Sequence, residues 1–171
     1  MAEYKTPGVY IEEIPKLPPS IASVETAIPS FIGYTEKAQL KEPGDLVRKP
    51  KRIVSMLEYE QFFGGPLPET TAVVTIDTTQ PGRIDVQGKM TAPSKYLMYY
   101  SLQLFFINGG GPCYIVSVGD YSTGGVIDQA TLVLGLDEVA KVNEVTLILF
   151  PDGLNMSGAG NYYAMHKEAM D

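Results

Sequence analysis

Between residues 94 and 152 the chain alternates long and short apolar segments, with glycines between them, and this pattern limits its possible folds more than any other feature. "SKYLMYYSLQLFFI" predicts a helix over about 94–107 that is apolar on nearly every side, which calls for deep burial or cover by neighbours. Asn108 and three glycines end it, and "CYIVSV" (113–118) is a short apolar run of the buried-strand type. After "GDYSTGG" a second helix is predicted over 127–142, with Ala130, Leu132, Leu136, Val139 and Ala140 near one face in spite of Gly135. "EVTLILFPD" reads as another buried strand ending in a Pro-Asp break, and "NYYAMHKEAMD" starts a further helix. Helix, strand, helix, strand, helix is the order of an α/β sheet. The expected fold is therefore α/β, a mixed sheet flanked by helices. A sheet abandoned at the last strand would carry an uncovered face or edge.

Upstream, "FIGYT" is expected to be the first strand of the packed sheet, within a strand candidate at 21–34 that Pro29 interrupts. Residues 36–50 are polar and turn-rich, a surface loop. Ser55 with Glu58 three residues on forms a capping-box pattern, so a short helix is predicted over about 56–63, stopped by Gly64 and Gly65. Residues 66–93 are rich in Thr, Pro and Gly. They hold one strand candidate, "TAVVTID" (71–77), and read as an excursion, a hairpin or a long loop.

The first twenty residues read as an extended N-terminal β arm. In "YKTPGVYIEEIP", Val9 and Ile11 alternate with Tyr10 and Glu12, a period-two pattern with two different faces. Pro7 and Gly8 precede the alternation, and Pro15, Pro18 and Pro19 end it by removing backbone donors. A strand on such a tether needs a partner, and the candidate pairing residues are Tyr4, Pro7, Gly8, Val9, Tyr10, Ile11, Glu12, Glu13 and Ile14. The division expected is an arm at 1–20 and an α/β domain at 21–171, its excursion at about 66–93.

Charge and chemistry exclude several classes of function. The formal net charge is −7, which opposes binding to nucleic acid or an anionic membrane, and "VRKPKR" (47–52) is the only basic run, expected as a solvated loop. With one cysteine, Cys113, no internal disulfide can form, and its setting suggests a buried strand thiol. The N-terminus has no apolar core of a signal peptide and no run of 18 apolar residues occurs, so synthesis in the cytoplasm without membrane insertion is expected. "NGGG" follows a helix, whereas phosphate binding needs glycines before one. In "GRIDVQGKMT" five residues separate Gly82 from Gly88 and Met90 follows Lys89, against the phosphate-loop requirement of four and a Ser or Thr. His166, the only histidine, is expected on a helix surface or interface. Glu12 and Glu13, adjacent on a strand, point to opposite faces and cannot act as a pair. No catalytic, cofactor or metal site is expected, which favours a structural role. The rival reading is a small-ligand module using the loops at 108–112, 119–125 and 151–160, where sheets of this class bind.

Five segments, in order, resemble those of contractile tail sheath proteins: "YKTPGVYIEEIP", "IPSFIGYTEKA", "SMLEYEQFFGG", "LQLFFINGGGPCYIVSVGD" and "EVTLILFPD". The family comprises sheaths of contractile phage tails, R-type bacteriocins and phage-like extracellular injection systems. The resemblance implies a non-enzymatic subunit that polymerises into a helical sleeve around an inner tube and drives that tube out by contracting. It implies as partners neighbouring sheath subunits, as a homo-oligomer or with paralogues, the inner tube protein, and baseplate and terminal cap proteins. It also implies a place in a phage tail or phage-like particle, and terminal arms that pair with strands of neighbouring subunits. Family members usually continue well beyond this length, so the chain is expected to be an incomplete sheath domain: an N-terminal portion, or a short paralogue acting as a cap or baseplate-proximal adaptor.

Overall fold

A computed structural model describes residues 27–170. The arm at 1–20, with Tyr4 and Pro7 to Ile14, lies outside the described residues. The elements run β1 (Ile28–Tyr34), β2 (Lys51–Ile53), α1 (Met56–Phe63), β3 (Ala72–Asp77), β4 (Asp85–Met90), α2 (Met98–Ile107), β5 (Cys113–Gly119), α3 (Gln129–Val139), β6 (Val145–Leu149) and α4 (Ala159–Glu168). Four strands form a mixed sheet in the order β2-β5-β1-β6, with β5 and β6 parallel to β1 and β2 antiparallel to β5. β3 and β4 form a separate two-stranded antiparallel sheet.

The sheet is the middle of three layers. β1 is buried along all seven residues, and the pleat sends alternate side chains to opposite faces. Phe31 joins Cys113 and Ile115 of β5 against Tyr59 and Phe63 of α1 and Met98 and Leu102 of α2. Ile32 and Tyr34 join Val116 and Val118 of β5 against Leu132, Leu136 and Val139 of α3 and Met165 of α4. The mixed α/β sheet between helix layers is the fold expected from the sequence.

Local chemistry places the ends of the helices. At α1 the Ser55 hydroxyl accepts from the Glu58 amide at 3.3 Å, while the Glu58 carboxylate reaches back to the Val54 amide at 2.9 Å. Gly64, at φ 83°, ends the helix as expected. Asp128 caps α3 by accepting from the amide and hydroxyl of Thr131 at 2.9 and 2.7 Å. After α2 the Asn108, Gly109 and Gly110 amides return to the carbonyls of Leu104, Phe106 and Phe105, so "NGGG" is a helix C-terminus.

Several sequence expectations are corrected. Pro29 does not interrupt its strand: it lies within β1 beside the register shift against β6, where its missing N–H is tolerated. The loop at 36–50 is not all surface, since Ala38 and Leu46 drop into the α1–α2 core. Lys51 and Arg52 of the basic run belong to β2, a short strand the sequence reading did not contain. On α3, Ala130 and Ala140 are exposed and Gly135 is buried instead, because α3 crosses the sheet there. A Cβ on Gly135 would lie 2.6 Å from Ile32 Cγ2 and 2.7 Å from Val118 Cγ1, so glycine is what lets the helix approach the sheet. β6 is not a buried strand: it forms one edge of the sheet, and Leu147, Ile148 and Leu149 are all exposed. α2 is likewise half covered, with Met98 and Leu102 buried but Leu104 and Ile107 exposed at 65% and 76%.

Candidate assembly surfaces

Asp152 anchors the region that carries the exposed edge. It sits in a 3-10 turn (Pro151–Asn155) directly after β6 and is fully buried. One carboxylate oxygen accepts from the Tyr34 amide at 2.7 Å, at the end of β1. The other accepts from the Leu97 and Met98 amides at 2.6 and 3.1 Å, the first turn of α2. Leu97, the residue before α2, supplies no capping side chain, so Asp152 caps that helix from 54 residues away. Burial pushes its carboxyl up to about 6, against the downward pull of the three N–H donors. Gly33 is required alongside, because a Cβ there would run into the Asp152 carboxylate.

This anchor holds β6 beside α2 and leaves its outer edge open. From Val145 to Leu149 the strand has no charge, no proline and no strand on its far side among the described residues. Such an edge presents unpaired N–H and C=O groups, a template for another strand. Leu149 pairs in register with Phe31, so Leu147 and Leu149 face the α2 side of the sheet. There Leu149 borders a groove of about 470 Å³ lined also by Phe31, Leu104, Phe105 and the turn Asn108–Gly110. Ile107 extends the apolar ledge at the end of α2. The opposite edge, β2, is protected: it is three residues long, and Lys51 lies over the Phe62 ring at 4.8 Å.

The excursion forms a hairpin rather than a loop, and all twelve strand residues of β3 and β4 are exposed. Its register pairs Ala72 with Met90, Val74 with Gly88 and Ile76 with Val86 on one face, and Val73 with Lys89, Thr75 with Gln87 and Asp77 with Asp85 on the other. One face is thus wholly apolar and the other mostly polar. Val74, Ile76 and Val86 are each about 60% exposed, which leaves the apolar face uncovered among the described residues. A lone two-stranded hairpin is marginal in water. The phosphate-loop look-alike falls here too: Gly82 is in the connecting turn and Gly88 and Lys89 are inside strand β4, not at the start of a helix.

The small-ligand reading has a place of its own. The chain leaves β1 toward α1 and leaves β5 toward α3, on opposite faces, and a cleft of about 430 Å³ opens at that divergence. It is lined by Tyr34, Glu36, Ser117, Gly119, Asp120 and Thr123, among others, so of the three loops expected only 119–125 contributes. Several of its polar groups are engaged within the protein: Glu36 accepts from the Gly65 amide at 2.6 Å, Ser117 shares a hydrogen bond with Thr35 at 2.6 Å, and Asp120 accepts from the Ser122 amide. Cys113 is buried in β5, where desolvation pushes its thiol up to about 12, far from a reactive thiolate. His166 is partly buried on α4, its Nδ1 2.9 Å from the Tyr162 carbonyl oxygen and its ring against Tyr162 and Phe150. Among the described residues no group of three His, Cys, Asp or Glu side chains is placed to hold a metal ion, and no helix is long and apolar enough to cross a membrane.

Comparison with solved structures places this sheet and its helices in a known architecture. The chain is similar to the helical sheath of the anti-feeding prophage (AFP) in its contracted state, at 24% identity and a TM-score of 0.50, over 98% of this chain. It has a sheath-like fold. The chain spans only 36% of that sheath chain. A chain of the AFP baseplate is also similar, at 26% identity and a TM-score of 0.46, over 98% of this chain and 37% of that one. No protein-family profile matches, and no curated protein matches. The sheath-like fold agrees with the resemblance carried by the five sequence segments. The arm residues, including Val9 and Ile11, lie outside the region described.

Proposed function

We propose that this chain is a structural subunit of a contractile tail sheath, polymerising as a helical sleeve around an inner tube and driving the tube out on contraction. The observation that carries the reading is likeness to a helical sheath across 98% of the chain. The sequence pattern of the arm and the β6 edge, which is unpaired among the described residues, add to it, because both suit assembly by strand addition between chains. No nucleotide hydrolysis is needed: contraction releases the free-energy difference between two subunit packings. The partners proposed are neighbouring sheath subunits, the inner tube protein, and baseplate and terminal cap proteins.

In this reading residues 4–14 add a strand to another subunit's sheet, with main-chain hydrogen bonds giving affinity and Val9 and Ile11 setting the register. Twenty extended residues span at most about 65–70 Å, enough to reach an adjacent subunit. Deleting residues 2–14 is expected to leave a folded domain, by circular dichroism, that gives no sheath polymers in electron micrographs of the particles. Particles that assemble and contract normally without those residues would overturn the proposal.

A further inference from the structure

Of the four asparagines, only Asn108 is followed by glycine. That pair carries its own chemistry. The backbone nitrogen of the next residue can attack the asparagine Cγ, and glycine, with no Cβ, leaves that nitrogen unhindered. A bond forms from Gly109 N to Asn108 Cγ, the Cγ–Nδ2 bond breaks, and ammonia leaves with the proton that Gly109 N gives up. One water then opens the cyclic imide. Cleavage of the Gly109 N–Cγ bond gives aspartate, and cleavage of the bond from Gly109 N to the main-chain carbonyl carbon of Asn108 gives isoaspartate. Water is the only co-reactant.

The end of α2 holds the reacting groups apart. Asn108 has ψ 14°, which brings its own main-chain nitrogen, rather than its side chain, level with Gly109 N. The Gly109 amide donates to the Phe106 carbonyl at 3.0 Å, and the Asn108 side-chain NH₂ donates to the Leu104 carbonyl at 2.7 Å. The Gly110 amide closes the turn on the Phe105 carbonyl at 2.9 Å. Ring closure requires rotation about ψ, which breaks the Gly109 bond and draws the side chain off Leu104. All of these bonds lie within residues 104–110, so the restraint is local to this turn.

We infer that Asn108 is a self-modification site, held in check by the last turn of α2 and converted to aspartate and isoaspartate through local opening of that turn. The products cannot rebuild the turn that restrained them. A carboxylate at 108 has no N–H for the Leu104 carbonyl, and it puts a negative charge at the helix C-terminus, where the dipole opposes it. Isoaspartate also lengthens the main chain by one carbon, which displaces the Gly109 and Gly110 amides from their carbonyls. Each conversion therefore loosens the connection at 108–112 between α2 and β5. This chemistry belongs to the chain itself and stands or falls apart from the sheath reading.

The test is peptide mapping by mass spectrometry of the full chain, aged in mildly alkaline buffer with and without denaturing urea. In urea, amide-to-acid conversion is expected at Asn108 ahead of Asn143, Asn155 and Asn161, whose next residues are Glu144, Met156 and Tyr162. In the folded chain, conversion at Asn108 should be about tenfold or more slower. Hydrogen exchange gives an independent measure of the same opening, and protection of the Gly109 amide should equal the slowing to within about threefold. Asn108→Asp should reduce protection of the Gly109 and Gly110 amides by about two- to fivefold. Four results would each overturn the inference: no conversion at Asn108 in urea, conversion as fast in the folded chain as in urea, slowing unrelated to Gly109 protection, or an Asn108→Asp chain protected like wild type.

Discussion

At the scale of single residues, two buried positions have consequences that composition alone would not suggest. Asp152 is one. Replacing it with Asn puts an NH₂ group against backbone N–H donors and leaves at least one buried donor without an acceptor. Asp152→Asn is expected to lower stability at neutral pH by about 1–3 kcal/mol in urea denaturation. The same carboxyl has a pH signature. Its folded-state value, about 6, lies above the unfolded value near 3.8, so the folded protein holds the proton more tightly. The stability this group contributes is complete below about pH 4 and is lost as pH rises through about 6. Denaturation midpoints across that window should show the slope in wild type and lose it in Asp152→Asn. Gly135 is the other. Alanine is the better helix former by about 1 kcal/mol, yet Gly135→Ala is expected to destabilise by about 1–3 kcal/mol, because the added methyl meets Ile32 and Val118. A thermal melt that rose instead would show that α3 can move off the sheet. In the sequence Gly135 looked like a blemish on a helix, since nothing within eleven residues of α3 reports how near the sheet lies.

At the scale of elements, what could be read from the sequence followed from how local its cause was. α1 was legible to the residue because Ser55, Glu58 and Gly64 lie within the segment they terminate. The helix–glycine–strand order from α2 to β5 was legible for the same reason. The cover of β6 and α2 was not: an apolar run shows that burial is favourable, not that the covering surface lies in the same chain. β2 was missed because three residues, two of them basic, carry no periodicity and owe their strand form to pairing with Cys113–Ile115. The hairpin was half legible, with "TAVVTID" read as a strand and β4 left open, since Gly88 and Lys89 dilute its alternation. Because none of the hairpin's strand residues is buried, the four-stranded domain should stand without it. Replacing residues 72–90 with a short Gly-Ser linker is expected to shift the melting temperature of the isolated chain by no more than about 4 °C, by calorimetry. A drop well beyond that would mean the hairpin supports the body of the protein.

At the scale of the whole molecule, a finished interior sits beside an unfinished perimeter. Both helix layers cover the centre of the sheet, while among the described residues the β6 edge, the end of α2 and the hairpin are exposed. Loss of residues 2–14 should abolish sheath polymers in electron micrographs while the folded body, judged by circular dichroism, is kept. The candidate site was only partly legible, because the exposure of a strand edge or a hairpin face is set by contacts between elements far apart in the sequence. The remote cap on α2 has one more consequence, for the order of events during synthesis. Residues 98–107 leave the ribosome well before the carboxylate that satisfies their first amides. Until Asp152 arrives, that helix has a frayed start and β1 an unsatisfied end, so the two layers cannot close early. Closure then waits for β6, and the open edge is formed in the same step that completes the core.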